Sequence, residues 1–268
     1  MSNIRRKYNL IGFIINAIKI IFLLGFLILI HEGGHCIVAK LCKVKVNEFA
    51  IGFGKVIWQK QGRETKYSIR LIPLGGFCSM EGENEESDEN GSFSKASVWK
   101  RMAIVVAGAA VNILFGILVY FILISTVGIQ FVDPAKDTFF NRIYYGAKGT
   151  GEFIATIFDS IKTLITGGVQ TDQMVGIVGI SEVVVKTNGI INYLHLLAVI
   201  SVSLGVTNLL PIPALDGGKI LILLIEVIRR KPMKLETEAK IQLLGFSILM
   251  ALTIFVTYND ILRIGAGS

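Results

Sequence analysis

The segment 20–42 places polar side chains in the middle of a long apolar run. It reads IIFLLGFLILIHEGGHCIVAKLC, and His31, Glu32 and His35 lie inside it. At about 1.5 Å of helical rise per residue, twenty residues cover about 30 Å, which is the thickness of the hydrocarbon layer of a membrane. Ionisable groups are costly at that depth, and their usual explanation is function. The segment therefore predicts a transmembrane helix that carries a functional site.

The composition also favours a membrane protein. The chain has 268 residues, of which 52% are hydrophobic, and a formal net charge of +7. So apolar a chain is not typical of a soluble domain. Lys and Arg at the ends of spans, in contact with lipid headgroups, account for the positive charge. No basic stripe with interleaved aromatic residues is present, so we do not expect nucleic acid as a partner.

The pattern predicts a single α-helical membrane domain over residues 1–268 with about four transmembrane helices. A small membrane-associated β sheet is expected between the first two, since 46–80 alternates and is rich in β-branched residues, and a peripheral amphipathic helix before the third. The expected segments are a lead-in (1–19), the first span with HEGGH (20–42), a β-rich loop (46–80), an acidic loop (81–97), a second span (102–132), the peripheral helix (141–166), a broken third-span region (191–228) and a fourth span (241–258).

The distribution of Lys and Arg predicts the orientation. These residues are frequent in 40–45, 95–101 and 229–240 and sparse in the long connection 133–190. By the positive-inside rule, the first and third loops are cytoplasmic and both termini lie outside. The HEGGH segment is then closer to the cytoplasmic side.

The five residues His31–His35 fit the pattern H-E-x-x-H. On a helix, positions i and i+4 bring both imidazoles to one face, which suits two ligands of one tetrahedral zinc ion. Glu32 is adjacent to the first imidazole and can act as a general base toward an attacking water. Without a metal, three polar side chains would be left without partners in lipid, so we predict a zinc site.

A catalytic zinc needs a third protein ligand. The candidates in apolar surroundings are Asp216, Glu226, Asp159 and His195. Asp216 follows a span that two prolines interrupt, where irregular backbone at membrane depth is expected only beside a cavity. We expect Glu226 to form a surface pair with the arginines three and four residues later, and His195 to be a core histidine. Position alone therefore favours Asp216.

The second span contains Gly108 and, four residues later, Asn112. Small residues at this spacing let helices approach closely, so Gly108 is explained equally well by packing or by function. The amide of Asn112 needs a hydrogen-bonding partner in lipid.

Taken together, these motifs resemble the site-2 protease family, the intramembrane zinc metalloproteases, and in particular the bacterial regulator of sigma-E protease type. The motifs are HEGGH, IGFGK, LIPLGGF, the GxxxN of the second span and NLLPIPALDGGK, and the likeness extends from about Leu23 to Arg263. It implies that His31, His35 and Asp216 bind Zn²⁺ and that Glu32 is the catalytic glutamate. It further implies that Asn112, Asn208 and Pro213 shape the substrate site and that the strands of 46–80 bind substrate in extended form. Because an unwound peptide exposes its backbone, we expect an edge strand near Gly52 and Gly54 to pair with it.

The sequence also departs from the family pattern. Ala109 stands where a proline is usual, and the stretch 176–180 (GIVGI) lacks its proline. The connection 133–190 has no room for the PDZ domain of many members, since a domain seldom has fewer than about 50 residues and a predicted helix already takes half of it.

The function that these expectations define is an intramembrane zinc metalloendopeptidase in the bacterial inner membrane, with its active site toward the cytoplasm. Its partners would be the lipid bilayer and membrane-anchored protein substrates, either regulators similar to anti-sigma factors or signal-peptide remnants. Two alternatives remain open at this point. A metal transporter would share the buried histidines but would not need Glu32 beside His31, and a non-catalytic membrane scaffold would bind transmembrane segments without cutting them.

Overall fold

The computed structural model describes residues 2–83, 85, 87–131, 133–166 and 176–266. The elements are helix α1 (Ser2–Leu41), strands β1 (Val46–Gln61) and β2 (Lys66–Met80), and helices α2 (Val98–Leu123), α3 (Phe139–Ile165), α4 (Ile177–Lys186), α5 (Ile190–Asn208), α6 (Asp216–Arg229) and α7 (Leu235–Ala266). A π-helical turn (Ile124–Gly128) extends α2, and a short 3₁₀ turn (Pro134–Lys136) precedes α3.

Four helical stretches of the described chain are long and apolar enough to cross a membrane. They are Ile14–Leu41, Val98–Gly128, Ile190–Asn208 and Leu235–Arg263, with mean hydropathies of 2.4, 2.5, 1.8 and 1.9. The predicted fold class, four spans with a small sheet after the first, is confirmed. Helix α1 runs without interruption from Ser2, so the lead-in and the first span form one helix. The sequence did not predict α4 as a separate helix.

Strands β1 and β2 form a long antiparallel hairpin that bends in the middle of β1. Residues 46–51 face residues 76–80, with Val46 opposite Met80, and residues 56–61 face residues 66–70. Gly52, at the bend, has φ +85°, a conformation that favours glycine. Because of the bend, residues 48–51 pair with residues 66–69 at the start of β2 and also with residues 76–79 at its end. The last residues of β2 are thereby held against the start of β1, close to the end of α1.

The described chain divides into two compact units. The first contains the residues up to Asn112 together with Leu204–Met250, and the second contains Ile113–Ser203 and the chain from Ala251. One apolar core of the first unit joins side chains of α1, both strands, α2 and α6, including Cys36, Val46, Cys78, Ile104 and Leu223. Cys36, which follows His35 directly, belongs to this core, so the core packs against the end of the HEGGH turn.

The second unit contains a buried carboxylate that fixes a helix start. Asp260 of α7 is 1% exposed. It accepts hydrogen bonds from the backbone N–H groups of Gly176 (3.0 Å) and Gly179 (2.8 Å), at the N-terminus of α4. A carboxylate is stabilised there by the free N–H groups and the helix dipole. This contact gives the stretch 176–180 a structural role that does not need a proline.

Helix α3 covers the segment predicted as a peripheral amphipathic helix. Phe153, on its predicted apolar face, stacks on the ring of Tyr120 of α2 with 4.0 Å between centroids. Part of that face therefore packs on protein.

The predicted surface pair of Glu226 with the arginines that follow it is wrong. Glu226 is 7% exposed. One carboxylate oxygen accepts from Arg101 of α2 at 2.6 Å, and the other accepts from the backbone N–H of Met233 at 2.7 Å. Arg229 and Arg230 are exposed. The partner that decides the environment of Glu226 is distant in sequence, so local helical spacing could not identify it.

We predict that Glu226→Gln lowers the free energy of unfolding by about 3 kcal/mol, because it leaves the guanidinium of Arg101 buried without its counter-charge. Thermal unfolding in detergent measures the change. The matched control is Glu236→Gln, which removes a carboxylate whose 2.6 Å pair with Lys240 is largely exposed, so the expected loss is under about 1 kcal/mol. Equal losses in the two variants would contradict the prediction.

Candidate metal centre

The HEGGH turn of α1 brings two imidazoles together. His31 and His35 are 8% and 9% exposed, and their Nε2 atoms lie 3.2 Å apart. The i, i+4 spacing predicted that they share one helix face. Two uncharged nitrogen atoms this close cannot both carry a proton without one donating to the other, so at least one presents a lone pair.

The irregular segment 209–215 brings a carboxylate to the same point. Asp216 is the first residue of α6, and its Oδ2 lies 3.0 Å from His31 Nε2 and 3.4 Å from His35 Nε2. The turn that delivers it is tight, since a Cβ on Gly217 would lie 2.1 Å from the carbonyl oxygen of Leu210. Only glycine fits there.

The three ligand atoms fit a zinc ion. With zinc bonds of about 2.0–2.1 Å, the atoms of a tetrahedral site lie about 3.3 Å apart, and the three separations are 3.0, 3.2 and 3.4 Å. Among the described residues, these are the His, Cys, Asp and Glu side chains that cluster closely enough to hold a metal. The set of two histidines and one carboxylate leaves a fourth position for water or substrate.

Neighbouring groups orient both imidazoles. The Nδ1 of His35 lies 2.8 Å from the backbone oxygen of Ile104, so Nδ1 carries the proton and Nε2 faces the cluster. The Nδ1 of His31 has the side-chain amides of Asn112 and Asn208 at 3.5 Å each. An amide can present its oxygen to a ring N–H, and such outer partners fix the orientation of a metal-binding histidine. The two predicted substrate-site asparagines thus lie directly behind His31.

Glu32 lies beside the cluster and is held by the sheet. Its Oε2 accepts a hydrogen bond from the backbone N–H of Cys78 at 3.1 Å. A cavity of about 410 Å³ contains this group, with residues 77–80 of β2 along one side and His31, His35 and Asp216 along the other. A carboxylate, a candidate metal site and a strand therefore share one space.

Other predicted residues lie elsewhere. Gly52 and Gly54 are at the bend of β1, opposite Ile72, and do not line this cavity. Pro213 packs against Gly245 of α7. The approach is so close that a Cβ added to Gly245 would lie 2.4 Å from the backbone oxygen of Pro213. Their proposed part in substrate binding stays a prediction.

The remaining ligand candidates do not join the cluster. Glu226 pairs with Arg101, Asp159 is exposed on α3, and His195 lies 5.3 Å from the ring of Tyr120. His195 is also exposed, so the expectation of a core histidine is wrong.

Sequence reasoning missed two charged residues of the cavity. Lys219 and Glu83 both line it and form an ion pair at 2.7 Å. Lys219 also lies 5.0 Å above the ring of Phe93. Its position one helical turn after Asp216 was a signal that it shares a face with that carboxylate, but nothing in the sequence pointed to Glu83 in the acidic loop.

Comparisons with known proteins identify the family of this chain. The sequence model of peptidase family M50 matches residues 19–252. A protein of Clostridium acetobutylicum is 30% identical over 92% of this chain and 97% of its own length. Zinc metalloprotease RasP of Bacillus licheniformis is 26% identical over 92% of this chain and 99% of its length. Regulator of sigma-W protease RasP of Bacillus subtilis is 24% identical over 94% of this chain and 99% of its length.

The relatives are longer than this chain. The alignment with the clostridial protein covers 329 positions, against 268 residues here, so that relative contains segments without a counterpart. In this chain the described residues of 133–190 are taken up by α3, α4 and short turns, which agrees with the lack of room for a PDZ domain.

We predict that Gly108→Ala lowers zinc content about tenfold or more at equal protein concentration. A Cβ there would lie 2.3 Å from His35 Nε2 and 2.9 Å from His31 Cε1, so both rings must shift, and displaced ligands commonly lose affinity on this scale. Metal analysis of protein purified with limiting zinc measures the effect.

The control is Gly33→Ala, within the same motif, where nothing lies within 4 Å of the added Cβ. This variant should keep its zinc and gain up to about 1 kcal/mol of helix stability. Retention of zinc in both variants would show that Gly108 serves packing alone.

Proposed function

The chain belongs to peptidase family M50, and from that premise we propose that it cleaves peptide bonds within or beside the transmembrane segments of other proteins. It is an integral membrane zinc metalloprotease. The observation that carries the finer proposal is the depth of the cluster. His31 lies ten residues before the end of the span Ile14–Leu41, which is about 15 Å along the helix axis and therefore inside the hydrocarbon layer.

In this proposal, His31, His35 and Asp216 hold the zinc ion. Zinc, when bound, makes a water molecule more acidic and polarises the carbonyl of the scissile peptide bond. The proton on His35 Nδ1 stays hydrogen-bonded to Ile104, so its Nε2 remains a ligand. Asn112 and Asn208 keep the ring of His31 in position.

Glu32 acts as the general base and then as the general acid. Its carboxylate accepts a proton from the attacking water and passes it to the nitrogen of the leaving amine. The Cys78 N–H, at 3.1 Å, restrains one oxygen of this carboxylate at the edge of the cavity. That restraint keeps the base oriented before the substrate arrives.

The substrate binds in extended form. The carbonyl groups of a helix are engaged in its own hydrogen bonds, so a transmembrane helix must unwind before water can attack it. Residues 77–80 of β2 border the cavity. The Cys78 N–H is engaged by Glu32, so substrate would pair with other backbone groups of this strand. An unwound segment can add to such a strand by backbone hydrogen bonds.

The substrates are membrane-anchored regulators of the anti-sigma-factor kind or signal-peptide remnants, cleaved in regulated intramembrane proteolysis. A relative with 99% of its length aligned is named a regulator of sigma-W protease, which supports the first class. The positive-inside rule, applied to the basic segments 40–45, 95–101 and 229–240, supports an active site toward the cytoplasm. The bacterial sources of the relatives support a location in the bacterial inner membrane.

We predict that Glu32→Gln lowers the rate of cleavage at least about a hundredfold. Zinc should remain bound, because the substitution removes the general base and leaves the proposed zinc ligands in place. The assay uses a panel of single-pass membrane peptides in liposomes with the full chain. Zinc is measured on wild type and both variants, and metal flux is measured on the same proteins and on His31→Ala. Glu236→Gln is the control, since that carboxylate is exposed on α7.

Each outcome separates the alternatives. Cleavage by wild type and Glu236→Gln but not by Glu32→Gln supports the protease mechanism. Full activity of Glu32→Gln would contradict the role of that carboxylate. Zinc in all three proteins without any cleavage, with metal flux that needs His31 but not Glu32, would favour a transporter over a protease.

A further inference from the structure

A second cavity of the first unit lies where α1 ends, and we propose that it binds the phosphate of an anionic phospholipid headgroup. It has a volume of about 840 Å³. Four cationic side chains line it, together with the carboxylate of Glu64 and the polar residues Thr65 and Tyr67; the cations are Lys40, Lys43, Lys45 and Arg63. The proposal concerns a site separate from the metal centre and does not depend on proteolysis.

The cationic groups of the cavity are neutralised only in part. Lys40 donates to the hydroxyl of Tyr67 at 2.8 Å and lies 5.2 Å above its ring, which orients the ammonium without cancelling its charge. Lys45 pairs with Glu89, an exposed residue, at 2.5 Å. Lys43 and Arg63 form no ion pair with another described residue. The charges leave the cavity with an excess of positive potential, which favours an anion.

A buried hydroxyl in the same cavity lacks a hydrogen-bonding partner. Thr65 is 2% exposed, and its Oγ1 forms no hydrogen bond with any described residue. Buried polar groups are nearly always paired, and an orphan calls for a missing ligand or water. With the Thr65 side chain rotated so that its hydroxyl faces the cavity, a phosphate oxygen would accept a hydrogen bond from it and contact several of the cationic side chains together.

The backbone at the cavity departs from the usual end of a helix. Lys43 has φ +62°, at the position after α1 where glycine is common because it accepts this conformation without strain. Here a lysine occupies it, with its N–H bonded to the carbonyl oxygen of Lys40 at 3.0 Å. The strain is tolerated at a residue whose side chain lines the cavity.

Location identifies the source of the phosphate. The apolar span ends at Leu41, so the cavity lies at the boundary between hydrocarbon and water, where lipid phosphates are concentrated. Lysines at such a boundary commonly contact the headgroup layer one by one, without forming a shared binding site. In this chain they converge on one cavity with a buried hydroxyl, which indicates a defined headgroup site.

The test compares lipids by thermal unfolding of the full chain in an uncharged detergent. Phosphatidylglycerol should raise the unfolding midpoint above that in phosphatidylcholine, because a ligand that binds only the folded state stabilises it. The double variant Lys43→Asn with Arg63→Gln should need about tenfold more phosphatidylglycerol for the same shift. Thr65→Val should also weaken the response, without lowering the midpoint in phosphatidylcholine.

The matched control is Lys55→Gln with Lys60→Gln, which removes two exposed charges from the same hairpin outside the cavity. It should respond to phosphatidylglycerol as wild type does. Equal weakening in both double variants, or no difference between the two lipids for wild type, would overturn the site. If glycerol 1-phosphate or inorganic phosphate alone gave the whole shift at the same concentration, the lipid source would be overturned and a soluble phosphate would be the ligand.

Discussion

The structure of the first unit follows from the cost of three polar side chains in the middle of a transmembrane helix. Lipid offers them no partners, so the protein must supply them. His31 is met by Asp216 at the start of α6, Glu32 by the backbone of β2, and His35 by a carbonyl oxygen of α2. Three separate elements are therefore arranged around one turn of α1, and the same contacts that satisfy these groups assemble the candidate metal centre.

The close approach of these elements depends on residues without side chains. At Gly108 a Cβ would enter the histidine cluster, and at Gly217 it would meet the carbonyl oxygen of Leu210. Neither glycine donates a group to the chemistry. Each permits distances of about 3 Å among the side-chain atoms of His31, His35 and Asp216 that larger residues would prevent, so close packing and the shape of the candidate site have the same cause.

Local patterns predicted the spans, the hairpin and the pairing of His31 with His35, because these depend on helix periodicity and strand alternation. Asp216 could be selected only by its position after a broken span. The environment of Glu226 was predicted wrongly, since its partner Arg101 is far away in sequence. The contact between Glu32 and Cys78 was also not predictable, because it depends on where the bent hairpin returns to α1.

The separation of Asp216 from His35 along the chain has a consequence for synthesis in the cell. The span with both histidines enters the membrane first, and the carboxylate follows only after most of the chain has been translated. At about 5–20 residues per second, this delay is on the order of ten seconds or more. Throughout that interval the two histidines lack the carboxylate that lies 3.0 Å from His31 in the folded chain. The candidate metal cluster is therefore completed late in synthesis, when the start of α6 reaches the span that carries both histidines.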